Sequence, residues 1–431
     1  MWLPVSNSPL IIFRVLFGLV MAAQCLHSLL NGWVEQVFVM PGCNFTFIGF
    51  EWLSILHGSS MYYYFGAMVL LSMMVAAGLF YRVAVLLLSI LWTAVYLATK
   101  TQYNNHYYLM VMLCWLMAVM PAHKRFSLDV WLNPDVETNY CYRWQTGLFI
   151  FQIACLYVFA AIAKMNNDWL HAIPLSTWFH LKAGKPFIGH FLRSPLLPWF
   201  VAYGGLLFDL MVVPGLLYRK TRLFFFILLM GFHLFNGLVF NIGLFPYLAM
   251  SLCVFFFPPA LYDRFLGNVN RPVLMGRYPP KKIQWISTAL AVFVFFQLFL
   301  PLRHYLIQGP VSWTEEGYRM SWQMMLRSKR GTAYFMVKDK QTDSTWRVEP
   351  SSFVNTASWR HVAVLPDVTW QAAQFLKIKY AALHHDVAVF AHCSVSLNYR
   401  EYKPLIDTTV DLANEQWNYC NHNKWVLLYK N

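Results

Sequence analysis

Six ionisable side chains fall within or at the ends of stretches that are otherwise apolar: Arg14, His27, His106, Lys164, Asp209 and His233. On insertion scales a charged side chain at the bilayer centre costs at least roughly 2.5–3.5 kcal/mol, so each needs a reason to be there. Lys164 ends the helix-like run "YVFAAIAKMNNDWL", His106 sits in "YNNHYYLMV", and His233 in "GFHLFNGL" has Asn236 one turn on. An amine withdrawn from water gives up its proton more readily and can act as a base near neutral pH, an imidazole can carry a proton in either direction, and neutral amides supply hydrogen bonds without charge. The chemistry open to such a set is proton abstraction in a low-dielectric site. Plainer readings stand beside it. Lys164 could be an anchor that snorkels to the membrane interface, His106 a satisfied helix-end histidine, and Asp209 in "GGLLFDLMV" the structural partner of another helix.

The elements that must hold these groups are membrane spans. Of 431 residues 58% are apolar and only 12% charged, about half the charge of an ordinary soluble domain. Hydropathy predicts about nine transmembrane helices, near residues 9–30, 60–79, 83–99, 106–121, 144–163, 197–217, 222–240, 243–258 and 284–302. The first carries Arg14 and His27 and no small-residue cleavage site, which reads as a retained helix rather than a signal peptide. With the N-terminus cytoplasmic, the inner loops hold 12 Lys and Arg, Arg271 and Arg277 among them, against five on the outer side. That asymmetry selects one orientation. The net charge of +14 is then loop charge facing anionic lipid, and it calls for no nucleic-acid partner.

This topology brings distant residues to one depth. The fourth span begins at the outer face with Asn104, Asn105 and His106, the fifth ends there with Lys164, and the seventh carries His233 and Asn236 in its outer half. A polar site under the outer surface is the prediction. Residues 165–196 are too polar to span and too aromatic for a free loop, and read as an amphipathic or re-entrant segment. The membrane part ends at residue 302; residues 303–431 form a small extracytoplasmic α+β domain. In that domain "TAYFMVKDKQTDSTWRVEP" predicts two strands and a turn, "DVAVFAHCSVSLNYR" a further strand, and "DVTWQAAQFLKIKYAAL" a helix with Asp367 as N-cap. Tyr318, Trp322, Arg327, Lys329 and Arg330 follow the last span closely, so they could sit over the outer mouth of the site and meet an anionic substrate, or rest on lipid headgroups. The eight cysteines show no metal spacing; Cys43, Cys393 and Cys420 lie outside the spans, where one disulfide among them is possible.

Five stretches in one order, "YNNHYYLMV", "IAKMNNDWL", "GGLLFDL", "FHLFNGLVFNIGLFPY" and "SWQMMLRS", resemble the vitamin K-dependent gamma-glutamyl carboxylase family over nearly the whole chain. The resemblance implies a metal-free enzyme that oxidises reduced vitamin K with O2 to the epoxide and uses the base so generated to carboxylate peptide glutamate with CO2. It assigns Lys164 as the base for the hydroquinone and His106 to carbanion protonation. It places Asn105 and His233 at the hydroquinone and Tyr318 at the glutamate substrate; by their depth Asn104 and Asn236 join the first pair, and by their position after the last span Trp322 and Arg327 join the tyrosine. Ala163 and Asn166 stand where the animal enzymes have a second lysine and an acidic residue. The compact ending resembles the bacterial members, which implies a bacterial inner membrane; a eukaryotic member would reside in the endoplasmic reticulum. Two other functions remain open from sequence: epoxidation without carboxylation or with a different acceptor, and non-catalytic binding of quinone or lipid.

Overall fold

The computed structural model describes residues 1–40, 42–185, 189–240, 242–266 and 280–429. Arg271 and Arg277 of the charge argument, and residues 186–188 of the amphipathic segment, lie outside the described residues. All nine expected apolar segments are helical, and they differ in length. Seven are long and apolar enough to cross a membrane: α1 (Ser8–Leu30), α2 (Ser60–Ala77), α3 (Tyr81–Ala98), α5 (Arg143–Lys164), α6 (Leu197–Leu217), α7 (Arg222–Phe240) and α9 (Pro280–Leu302).

The other two are shorter for local reasons. α4 (Asn105–Val119) has 15 residues, about 22 Å of helix. The Asn104 side chain accepts the Tyr107 amide at 2.8 Å as N-cap, and Pro121 cannot continue the helix. The eighth segment, α8 (Phe245–Ser251) with its 3-10 continuation to Phe256, turns by 102° into the helix Ala260–Leu266. The break falls at Pro258–Pro259, where neither proline offers an N–H. This bent segment still links the two ends of the bundle. Phe245 stands beside His106 and His233, while Asp263 pairs with Arg125 at 2.7 Å near the chain's N-terminus.

The bundle core is aromatic and small-residue packing. Phe13 and Phe149 meet Phe255 at 5.1 and 4.6 Å, and Gly18 of α1 lies against Ser72 and Ala76 of α2. Arg14 is buried, and its guanidinium donates to the carbonyls of Ala122, Arg125 and Phe126, so it fastens α1 to the loop after α4 instead of meeting a carboxylate.

After α9 comes a separate core around a four-stranded antiparallel sheet, β1 (Lys329–Asp339), β2 (Thr345–Val348), β3 (Val387–Leu397) and β4 (Lys403–Pro404), ordered β2-β1-β3-β4. The expected hairpin is present with Met336 opposite Arg347. Helix α10 (Pro366–Ala381) packs on this sheet. Asp367 is not its N-cap: Pro366 sets the first helical position, so Leu365 takes the cap and the Asp367 carboxylate is free to pair with Lys100 and Arg319. All eight cysteines are free, Cys393 buried in the sheet and Cys420 exposed.

Candidate functional site

Where α4, α5, α6 and α7 converge near the C-terminal domain, a cavity of about 290 Å3 opens. Lys164, the last residue of α5, is buried there and forms an ion pair and hydrogen bond with Asp209 of α6. Its ammonium also lies 5.5 Å from the Trp169 ring centroid. The amide of Asn166, which stands where the resemblance expects an acid, caps the following short helix: its oxygen accepts the Trp169 amide at 3.0 Å and its nitrogen donates to the Ala163 carbonyl at 2.8 Å. That cap ends the lysine helix sharply and turns the chain so that Trp169, Leu175 and Trp178 of the amphipathic segment wall the cavity.

His233 of α7 is 1% exposed, with Nε2 paired to the Tyr157 hydroxyl at 2.7 Å and Nδ1 without a partner among the described residues. Asn236, one turn on, lines the same cavity, as do Asn104, Asn105 and His106 from the start of α4. His106 lies 6.1 Å from the Phe245 ring. The chain after α9 covers the start of α4, so its polar first turn faces the cavity.

The chain after α9 forms the roof. Tyr318, Gln323, Met324 and Met325 line the cavity from that side. The Gln323 carbonyl accepts from Tyr318 at 2.9 Å and from Asn105 at 3.1 Å, while the Tyr103 hydroxyl accepts the Met320 amide at 2.7 Å and donates to Asn105 at 3.0 Å. Burial pushes the Tyr318 phenol up, and Arg327 partly offsets that, which leaves the hydroxyl a neutral donor. Met320, Trp322 and Met325 take positive φ of 62, 57 and 51°, a conformation that non-glycine residues adopt only when held. This segment is held by its insertion into the bundle.

Two residues expected at the substrate are not in the lining. Trp322 is fully buried in the bundle core, 5.0 Å from Tyr108. Arg327 stacks at 4.3 Å on Tyr318 and is neutralised by Glu315, so its charge is not open to a ligand. Conversely, Asp209 and Tyr157 belong to the site. Tyr157 precedes Lys164 by seven residues, two turns of the same helix face, and Asp209 is the single charged residue of its span. Both signals were readable.

Family comparison gives two adjoining matches. The HTTM domain matches residues 2–260, and the vitamin K-dependent gamma-carboxylase lumenal domain matches residues 282–431. The chain belongs to the vitamin K-dependent gamma-carboxylase family. No solved structure matches it. As a member of this multi-pass membrane family it joins the HTTM helices to a lumenal-type domain, and the roof of the cavity comes from the second of the two matched regions.

Proposed function

We propose that this gamma-carboxylase family member couples O2-dependent epoxidation of vitamin K hydroquinone to γ-carboxylation of glutamate in a peptide or protein, using CO2. The observation that carries the reading is the Lys164–Asp209 pair in the wall of an aromatic-lined cavity that also holds His106 and His233. The residues fit a reduced naphthoquinone: rings of Phe232, Phe245 and Trp178 surround the space, and His233 Nδ1 is a buried polar atom with no partner among the described residues. When bound, the hydroquinone supplies reducing equivalents to O2 and, from that reaction, the base strength that a glutamate γ-proton demands.

The chain's own groups then have separable tasks. In the ion pair Lys164 carries the proton, so it acts as a base only by passing that proton to Asp209, which becomes the neutral acid, and Nζ then receives the hydroxyl proton. His233, oriented by Tyr157, would hold a ring oxygen through Nδ1, and Asn236 and Asn105 line the same space. His106 protonates or deprotonates the second substrate, which enters past Tyr318; Trp322 and Arg327 support that roof from outside the lining, and Asn104 keeps the first turn of α4 in place. The aromatic walls and the inserted roof exclude water, which would quench a strong base. The charge asymmetry of the loops supports an extracytoplasmic C-terminal domain.

Purified protein given reduced vitamin K, a glutamate-containing peptide and radiolabelled bicarbonate tests this directly. Epoxide together with fixed label is the expected result. Epoxide without label leaves an epoxidase alone, and neither product from folded, quinol-binding protein overturns the catalytic reading.

A further inference from the structure

Across α4 from the first cavity lies a second, of about 680 Å3, between α9 and the helices α3, α4 and α5. It runs along α9 from Ile286 to Gln297, about 17 Å of helix, with Trp144 near one end and Tyr96 and Tyr108 near the other. No charged side chain lines it among the described residues. Yet Gln297 Oε1, the Tyr96 hydroxyl and Trp144 Nε1 are buried polar atoms with no hydrogen-bond partner among the described residues. Gln297 and Tyr96 are each 4% exposed. The Gln297 amide nitrogen reaches the Tyr108 hydroxyl only at 3.5 Å. An unpaired amide oxygen is costly in hydrocarbon, where water cannot serve it. From Ala289 to Leu302, α9 carries no polar side chain besides Gln297, so this unpaired amide oxygen stands in the most apolar part of the helix. The same helix is the least buried of the long ones, with 11% of its apolar stretch covered, so the space opens toward lipid.

We propose that this cavity is a second, non-catalytic binding site for a reduced isoprenoid quinone. A ring hydroxyl donates to Gln297 Oε1, the other ring oxygen accepts from Tyr96, and the isoprenoid chain lies along α9 toward Trp144. The absence of lining charge among the described residues matches a neutral ring, and Arg303, close to Tyr96 and Tyr108 outside the lining, already donates to the Leu300 and Arg319 carbonyls. The ligand class rests on the quinone reading of the first cavity; the location does not. The site would hold a second hydroquinone one helix away from where the first is consumed.

Photolabelling of the full chain in phosphatidylcholine nanodiscs tests it, with a hydroquinone whose isoprenoid tail ends in a diazirine and a diazirine-tailed phosphatidylcholine as control. Peptides containing Ile286 or Val119 should be labelled by the quinol probe and not by the control. Gln297→Leu and Tyr96→Phe should each reduce that label by about fivefold, the size of one neutral hydrogen bond, and leave label in the first cavity unchanged. Tyr96→Phe removes a single atom, so it keeps the fold if Gln297→Leu does not. Equal labelling by the phospholipid, or label insensitive to both substitutions, overturns the proposal. Label at α9 with none near Lys164 would sink the first-cavity reading and leave this one standing.

Discussion

Lys164 and Asp209 lie 45 residues apart and meet as a buried pair, so neither can be removed cleanly. Taking one partner from such a pair leaves an uncompensated charge worth about 3–5 kcal/mol. Stability and chemistry must therefore be separated by design. Lys164→Ala should cut epoxide formation at neutral pH by about 10²- to 10⁴-fold, the usual worth of a positioned base, and regain part of it at high pH where the hydroquinone ionises unaided. Undiminished neutral-pH activity would remove Lys164 from the mechanism. Asp209→Asn should lose both thermal stability and epoxide yield. The double variant Lys164→Met/Asp209→Leu should recover the stability, measured by unfolding in detergent, and none of the epoxide; recovery of both would make the pair structural only.

At the scale of elements, the site depends on helices that approach closely or stop early. Gly18 is the clearest case of close approach: a Cβ there would come within 2.6 Å of the Ala76 amide nitrogen and 2.7 Å of the Ser72 carbonyl. Small residues at such crossings let membrane helices pack through their backbones. Gly18→Val should force α1 and α2 apart and destabilise the bundle by about 1–3 kcal/mol, read as a lower unfolding temperature. An unchanged temperature would mean that the two helices do not cross at Gly18. α4 is the short case: it ends before Pro121, and its first turn, covered by the chain after α9, delivers Asn105 and His106 to the cavity.

For the molecule as a whole, ion pairs and hydrogen bonds tie the C-terminal domain to the bundle, the Lys100–Asp367 pair buried and the Asp168–Arg400 pair partly exposed. Lys100, just after α3, pairs at 2.9 Å with Asp367 of the domain, which also binds Arg319. Asp168 beyond α5 takes Arg400 and Asn398. Burial lowers Lys100 to about 8 from an ordinary 10.5, against the pull of Asp367. Between those two values the unfolded chain carries a proton that the folded chain has lost, so this group makes stability rise with pH across the window; below about 8 both states are charged and the burial cost stands in full. Unfolding temperatures compared at pH 8 and 10 should show a smaller upward, or steeper downward, change in Lys100→Met than in the wild type. Parallel curves would show that Lys100 titrates normally.

Much of this protein was legible in order and composition. Nine apolar segments, the strands and helix of the C-terminal domain, and the convergence of His106, Lys164 and His233 on one cavity follow from hydropathy and alternation, because bilayer thickness and backbone hydrogen bonding leave a spanning chain few choices. Pairing is another matter. That Asp209 answers Lys164, that Asp367 serves Lys100 rather than a helix end, and that Trp322 and Arg327 turn away from the cavity are decided by which helix faces meet. Side-chain partners across distant segments depend on rotation and depth to within an ångström or two, and hydropathy, which averages over many residues, carries no such information.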